Sequence, residues 1–286
     1  MKYFISLILI CSSFFVSSQT IEDALSTETK FYNAVDKWVA FPSQKNDSTA
    51  VYGFIYIDEH AGFTFRMIGD FKIVDGDFKN IPNDIYKTTI FASRLSKNSR
   101  LFALLNEEQQ NQLNLPVTPD WLSVYKLQAG DVSYLTNIGN KYNAVGASQN
   151  ALEPLLKAYA IEPHFEGLEF ELGYAYNALF QFEKSIPILE KAIKYDTSNE
   201  LLYKELGFAF LNLEDIEKAK DVYVKGISIA LSENNKIEMA FNLTYGYYKQ
   251  MDKSNFNLWA KKVREMVKQD SPYIAYLVQM EEQWPE

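Results

Sequence analysis

The chain has 286 residues, with 28 lysines and arginines against 37 aspartates and glutamates, a formal net charge of −9. That acidic balance disfavours nucleic acid and anionic membrane partners through long-range repulsion. One cysteine and two histidines exclude a disulfide framework and a histidine-rich zinc site.

The first eighteen residues read as a secretion signal. Lys2 gives a short positive start, and Tyr3 to Ile10 with Phe14 to Val16 give an apolar stretch. Val16-Ser17-Ser18 then supplies small residues before Gln19. The stretch is too short and too broken by serines to span a membrane. Cys11 lies inside it, but Ile10 stands where a lipoprotein signal needs a small residue, so soluble export is expected. The exported chain, periplasmic or secreted after cleavage near Ser18-Gln19, then has no thiol and no membrane-spanning segment. Its length suits two domains.

Residues 19–127 are expected to form a small α+β domain. Thr20 is placed to cap a helix through Ile21, Leu25, Phe31, Val35 and Trp38, ended by Phe41-Pro42-Ser43. A polar loop from Gln44 to Thr49 follows. The period then changes to two. Val51, Gly53, Ile55 and Ile57 alternate with Tyr52, Phe54 and Tyr56, and Phe63 to Met67 returns after the turn Asp58–Gly62. Asp75-Gly76 marks a second tight turn, and Ile85 to Leu95 a further strand. A small antiparallel sheet of three to five strands results. Ser96 to Leu113 is helical in character. Thr118, after Pro116 and before Pro119, can cap a short helix with Trp121, Leu122 and Tyr125, completing a helical connector.

From Val132 a longer period takes over. Ile138-Gly139, Leu172-Gly173 and Leu206-Gly207 recur every 34 residues, each followed at the same offset by Tyr142, Tyr176 or Phe210. Such a period signifies tandem helical hairpins that bury their apolar stripes on one another. The units run Val132 to Phe165, Glu166 to Asn199 and Glu200 to Glu233. A fourth, about Asn234 to Asp270, lacks a Leu-Gly pair in register but keeps a stripe through Phe256, Trp259 and Val263. Ser271-Pro272 caps a last helix. The glycines are expected where two helices cross closely, opposite the small residues Ala151, Ser185 and Ala219. Residues 128–286 thus read as an α-helical solenoid with a C-terminal capping helix.

This pattern resembles the tetratricopeptide repeat family over about residues 132–270; the segment before it resembles no family. The resemblance implies a module that binds a protein or peptide segment in a concave groove lined by the first helix of each hairpin. The groove positions it implies are Asn140, Asn143, Phe170, Tyr174, Asn177, Lys204, Phe208, Leu211 and Asn212. Asparagines satisfy the backbone of an extended peptide, and aromatics give anchor area. Thr136 and Glu171 stand where the family's carboxylate clamp has basic residues, so that clamp is not expected. The protein's own N-terminal domain or last helix could also fill the groove.

No phosphate loop, dinucleotide fingerprint, nucleophile elbow or paired Cys-x-x-Cys occurs. His60 beside Asp58 and Glu59 reads as a hairpin turn, and His164 after Pro163 as an exposed turn between repeats. Asp75-Gly76-Asp77 reads as a turn rather than a calcium loop. Lys261, Arg264 and Lys268 form a solvated basic face. The expectation is an exported, non-enzymatic interaction or assembly module without a cofactor. It would bind through the groove, or through exposed aromatics at Tyr52, Phe54 and Tyr56. The alternative is an enzyme with its site in the N-terminal sheet domain and the repeats as substrate dock, for which His60 in a pocket with carboxylates would speak.

Overall fold

The computed structural model describes residues 21–44 and 48–284. The expected signal and cleavage site, Cys11, the expected Thr20 cap and part of the loop before Thr49 lie outside them. Two compact units are present. Of the described residues, one comprises those up to Tyr56, Phe65–Ser93 and Arg100–Pro119; the other comprises Ile57–Thr64, Arg94–Ser99 and those from Asp120 on.

The first unit is built on a sheet. The strands are β1 (Lys37–Pro42), β2 (Thr49–Asp58), β3 (Gly62–Val74), β4 (Asp77–Ile81), β5 (Phe91–Arg94) and β6 (Ala103–Leu104). They run in the order β4-β3-β2-β1-β6, with β5 also on β3. Six strands exceed the three to five expected, because two segments read as helical are extended. The helix placed over Ile21 to Trp38 is one turn, α1 (Ile21–Ala24), followed by a 3-10 turn at Phe31–Asn33. Asp36 takes a left-handed φ of 58°, which no helix propagates through. Trp38 then pairs opposite Phe54 and Val39 opposite Gly53.

Ser96 to Leu113 contains only one helix, α3 (Glu107–Gln112), started by a capping box between Asn106 and Gln109. Before it, Phe102 bridges to Thr29 and β6 pairs with β1. Ile85 to Leu95 opens with a helical turn, α2 (Ile85–Thr88), before β5. The tight turn at Asp75-Gly76 is as expected, with both residues at positive φ.

β2 is buried on both faces. Tyr52, Phe54 and Tyr56 are 3%, 0% and 3% exposed, so they offer no binding surface. Central strands covered on both faces lose the alternation of polar and apolar residues. Trp38 meets Phe54 edge-on at 5.1 Å, and Phe71 stacks on Phe78 at 4.6 Å. A Cβ at Gly53 would run into the Phe65 ring, so only glycine fits there.

The second unit contains α4 (Val132–Ala144), α5 (Ser148–Ile161), α6 (Leu168–Ala178), α7 (Phe182–Tyr195), α8 (Glu200–Asn212), α9 (Ile216–Ile229), α10 (Glu233–Lys249), α11 (Lys253–Met266) and α12 (Pro272–Glu282). Before them Asp120–Lys126 forms a 3-10 helix. Four antiparallel hairpins and a capping helix follow the repeat boundaries, with α4 beside α6, α6 beside α8 and α8 beside α10.

At the crossings, a Cβ on Gly139 would collide with Leu155, on Gly173 with Leu189 and on Gly207 with Tyr223. The closest opposing residues are therefore large, and lie one turn beyond Ala151, Ser185 and Ala219. Those small residues are fully buried, and Ser185 Oγ donates to Gly173 O at 3.1 Å.

The fourth hairpin follows a longer register. The turn residues Glu214 and Met251, both at positive φ, and the capping aspartates Asp215 and Asp252 are each 37 residues apart. In that register Thr244 stands for Gly207 and Ala260 for Tyr223, an exchange of large and small. All four are essentially buried or are glycine at a closed crossing.

The first hairpin has a substitute neighbour. Tyr176 packs with Leu155 and Ala158 of the preceding hairpin, and Phe210 with Leu189 and Ala192. Their counterpart Tyr142 meets Phe63 edge-on at 5.2 Å, and Asn137 Nδ2 donates to Glu59 O at 3.2 Å. Residues 57–64 thus cover the end of the solenoid that a preceding repeat would cover.

At the other end Leu277 and Met280 of α12 complete the core of the fourth hairpin, and Tyr273 packs on Phe241 at 4.9 Å. Arg264 reaches Glu281 at 2.7 Å, so this member of the basic face is paired.

Candidate partner-binding groove

The inner helices are joined by a polar ladder that follows the repeat. Asn143 Nδ2 donates to Glu171 O at 2.9 Å and Oε2 at 2.8 Å. One repeat on, Asn177 Nδ2 donates to Glu205 O and Oε2, both at 3.0 Å. Asn140 Nδ2 adds a 2.5 Å bond to Glu171 Oε1. All but Asn140 are buried. Burial raises the Glu205 pKa; the Asn177 bond and the charge of Lys204 oppose the shift, and Glu238 and Glu171 add to it.

Four of the nine groove positions meet around one cavity of about 280 Å³: Tyr174, Asn177, Lys204 and Phe208. Tyr174 and Phe208 are 37% and 38% exposed, and Lys204 forms an ion pair with Glu238 at 3.1 Å. The wall is completed by Ala178, Phe180, Glu205, Glu238 and Asn242, none of which was among the expected positions. The signal for Glu205 was present in the sequence: Glu171 and Glu205 repeat at 34 residues, as do Asn143 and Asn177.

The other positions are used differently. Asn143 and Asn177 direct their amides inward to the next hairpin, so the expectation that they offer an amide to a peptide backbone is revised. Phe170 packs against the core of the second and third hairpins, and Leu211 against those of the third and fourth. Asn212 donates to Phe208 O of its own helix at 2.8 Å.

Phe180 is 79% exposed and holds a left-handed φ of 58°. The corresponding turn of the first hairpin has Gly146, at φ 78°, where that conformation is free of Cβ strain. Phe180→Gly should therefore stabilise the chain by about 1 kcal/mol. Denaturant unfolding checks this, and unchanged or lower stability would contradict it.

Neither histidine is as simple as its turn suggests. Asp58 Oδ1 accepts from the backbone N–H of His60 and Ala61, both at 2.9 Å, while the His60 side chain is exposed. His164 is not an exposed turn residue. It stacks on Tyr195 at 4.3 Å and its Nδ1 lies 2.5 Å from buried Glu169 Oε1.

The sheet unit has a larger cavity, about 670 Å³, where Tyr86 Oη donates to Asp70 Oδ2 at 2.7 Å. His60 does not line it. Among the described residues, no group of three or more His, Cys, Asp or Glu side chains could hold a metal. Among them too, no helix is long and apolar enough to cross a membrane.

The second unit is a solenoid of helical hairpins with exposed aromatics on its inner helices. Residues 170–199 match the tetratricopeptide repeat family, so the second hairpin is such a repeat, and the first and third share its register. TTC0263, a thermophilic TPR protein of Thermus thermophilus, is 17% identical, with 54% of this chain and 84% of that one covered, at a TM-score of 0.46. MamA residues 41 to the end from Desulfovibrio magneticus RS-1 are 21% identical over 58% of this chain and 88% of that one, TM-score 0.46. A further MamA structure is 23% identical over 51% and 84%, TM-score 0.46. No curated protein sequence matches.

Proposed function

We propose that this is an exported, non-enzymatic interaction module that holds an extended segment of another envelope or secreted protein on its inner helices. The observation that carries this reading is the cavity between α6, α8 and α10, rimmed by Tyr174 and Phe208, two half-exposed aromatics. Large aromatics kept partly in water at a concave site are the usual anchors of a polypeptide interface. The tetratricopeptide match supports a role in protein–protein binding or assembly. Export rests on the charge and apolar pattern of residues 1–18. An exported chain whose mature N-terminus is Gln19 supports it, and an intact Met1 in the cytoplasm would contradict it.

The test uses peptides selected by the full chain from a displayed random linear library. Tyr174→Ala with Phe208→Ala should weaken the selected binders about 100-fold, the effect of losing two anchors. Both side chains are too exposed for their loss to melt the solenoid, so the circular dichroism should be unchanged. Binding that survives the double substitution would overturn the groove assignment. Phe170 is unsuited to this test because its removal also opens the core.

A further inference from the structure

We propose, on the basis of the groove reading above, that the partner segment places a lysine or arginine side chain in the pocket between α6, α8 and α10. The pocket's charge is the first reason. Glu205 and Glu238 both line it against the single amine of Lys204, which Glu238 already engages at 3.1 Å. A carboxylate ligand would face two like charges with one occupied cation, whereas a cationic ligand removes the imbalance. The net charge of −9 steers a cation in the same direction.

The second reason is the wall. Tyr174, Phe180 and Phe208 present three aromatic rings around the carboxylates, and ring faces attract a partly desolvated cation. Phe180 keeps its ring there in a backbone conformation that glycine adopts more easily.

The third reason is an orphan acceptor. Asn177 is 97% buried and lines the pocket, its Nδ2 is held by Glu205, and its Oδ1 is buried without a partner. An N–H donor entering beside Glu205 would meet that need. At about 280 Å³ the cavity falls below the roughly 300–1,000 Å³ of sites for whole small ligands, and suits one long side chain.

This differs from the carboxylate clamp in both sign and residues, since Thr136 and Glu171 are buried here.

The experiment selects displayed random linear peptides on the full chain and removes binders that survive on the Tyr174→Ala/Phe208→Ala variant. The groove-dependent peptides should share a lysine or arginine. Replacing that residue by norleucine in a synthetic binder should weaken it about tenfold, as should Glu238→Gln in the protein. Glu238 is 42% exposed in its side chain, and unchanged circular dichroism would show that the variant folds. Groove-dependent peptides with no cationic residue, or equal affinity of the norleucine peptide, would overturn this inference and leave the groove reading standing. An absence of groove-dependent peptides would overturn both.

Discussion

Gly207→Thr should destabilise the protein by about 3 kcal/mol, at the upper end of overpacking costs. The new Cβ enters the ring of Tyr223, which is wholly buried and cannot swing aside. The gain in helix propensity over glycine offsets only a few tenths of a kcal/mol. The fourth hairpin points to the repair, because in its register Thr244 stands for Gly207 and Ala260 for Tyr223, and both are fully buried. Tyr223→Ala alone should cost about 3–5 kcal/mol as a cavity. The double variant Gly207→Thr/Tyr223→Ala should lose at least ~2 kcal/mol less than the sum of the singles. Gly130→Ala, with open space around its Cβ, is the control and should change stability by less than about 0.5 kcal/mol. Additive losses in urea or guanidinium unfolding would show that the crossing is not a size-matched pair.

The polar ladder gives the second large effect. Asn177→Leu removes the Nδ2 amide that donates to both the backbone O and the carboxylate Oε2 of Glu205, and leaves that buried carboxylate without its side-chain donor, at a cost of about 3 kcal/mol. Glu205→Gln should act in the opposite sense at neutral pH. Burial raises the folded pKa of Glu205 above its unfolded value, so the folded chain holds this proton more tightly than the unfolded chain does. The stability this group contributes is full below the unfolded pKa and is lost as pH rises through the folded one. The variant should therefore match the wild type in acid, near pH 4, and exceed it at pH 7. Glutamine also brings an N–H for the unpartnered Asn177 Oδ1. A stability difference independent of pH would exclude Glu205 as the source.

The solenoid was legible because its packing is local and periodic. Each Leu-Gly pair reports a crossing with a helix sixteen residues further on, so a fixed spacing carries the whole arrangement. The fourth hairpin moves the register by three residues, and puts a threonine in place of the glycine and an alanine in place of the tyrosine. A search for the same pair at the same spacing passes over it.

The sheet unit was harder to read. Trp38 lies in a strand, and Phe102 in an isolated bridge, because of partners far along the chain, Phe54 for one and Thr29 for the other. Neither segment alternates clearly enough to show this alone. The aromatic face of β2 likewise looked exposed because its cover comes from distant residues.

For the groove, exposed aromatics at family positions were readable, but the fate of a side-chain amide was not. Asn143 and Asn177 sit at groove positions and turn to Glu171 and Glu205, since a buried carboxylate needs donors more than solvent does. Phe180 lies in a turn, where no sequence pattern marks it and only its left-handed φ sets it apart.

Hydrogen exchange of the full chain with and without a groove-selected peptide tests the central claim most directly. Slowed exchange confined to α6, α8 and α10 is the predicted result. Protection of the outer helices α7 and α9, or of the sheet strands, with α6 and α8 unchanged, would contradict it.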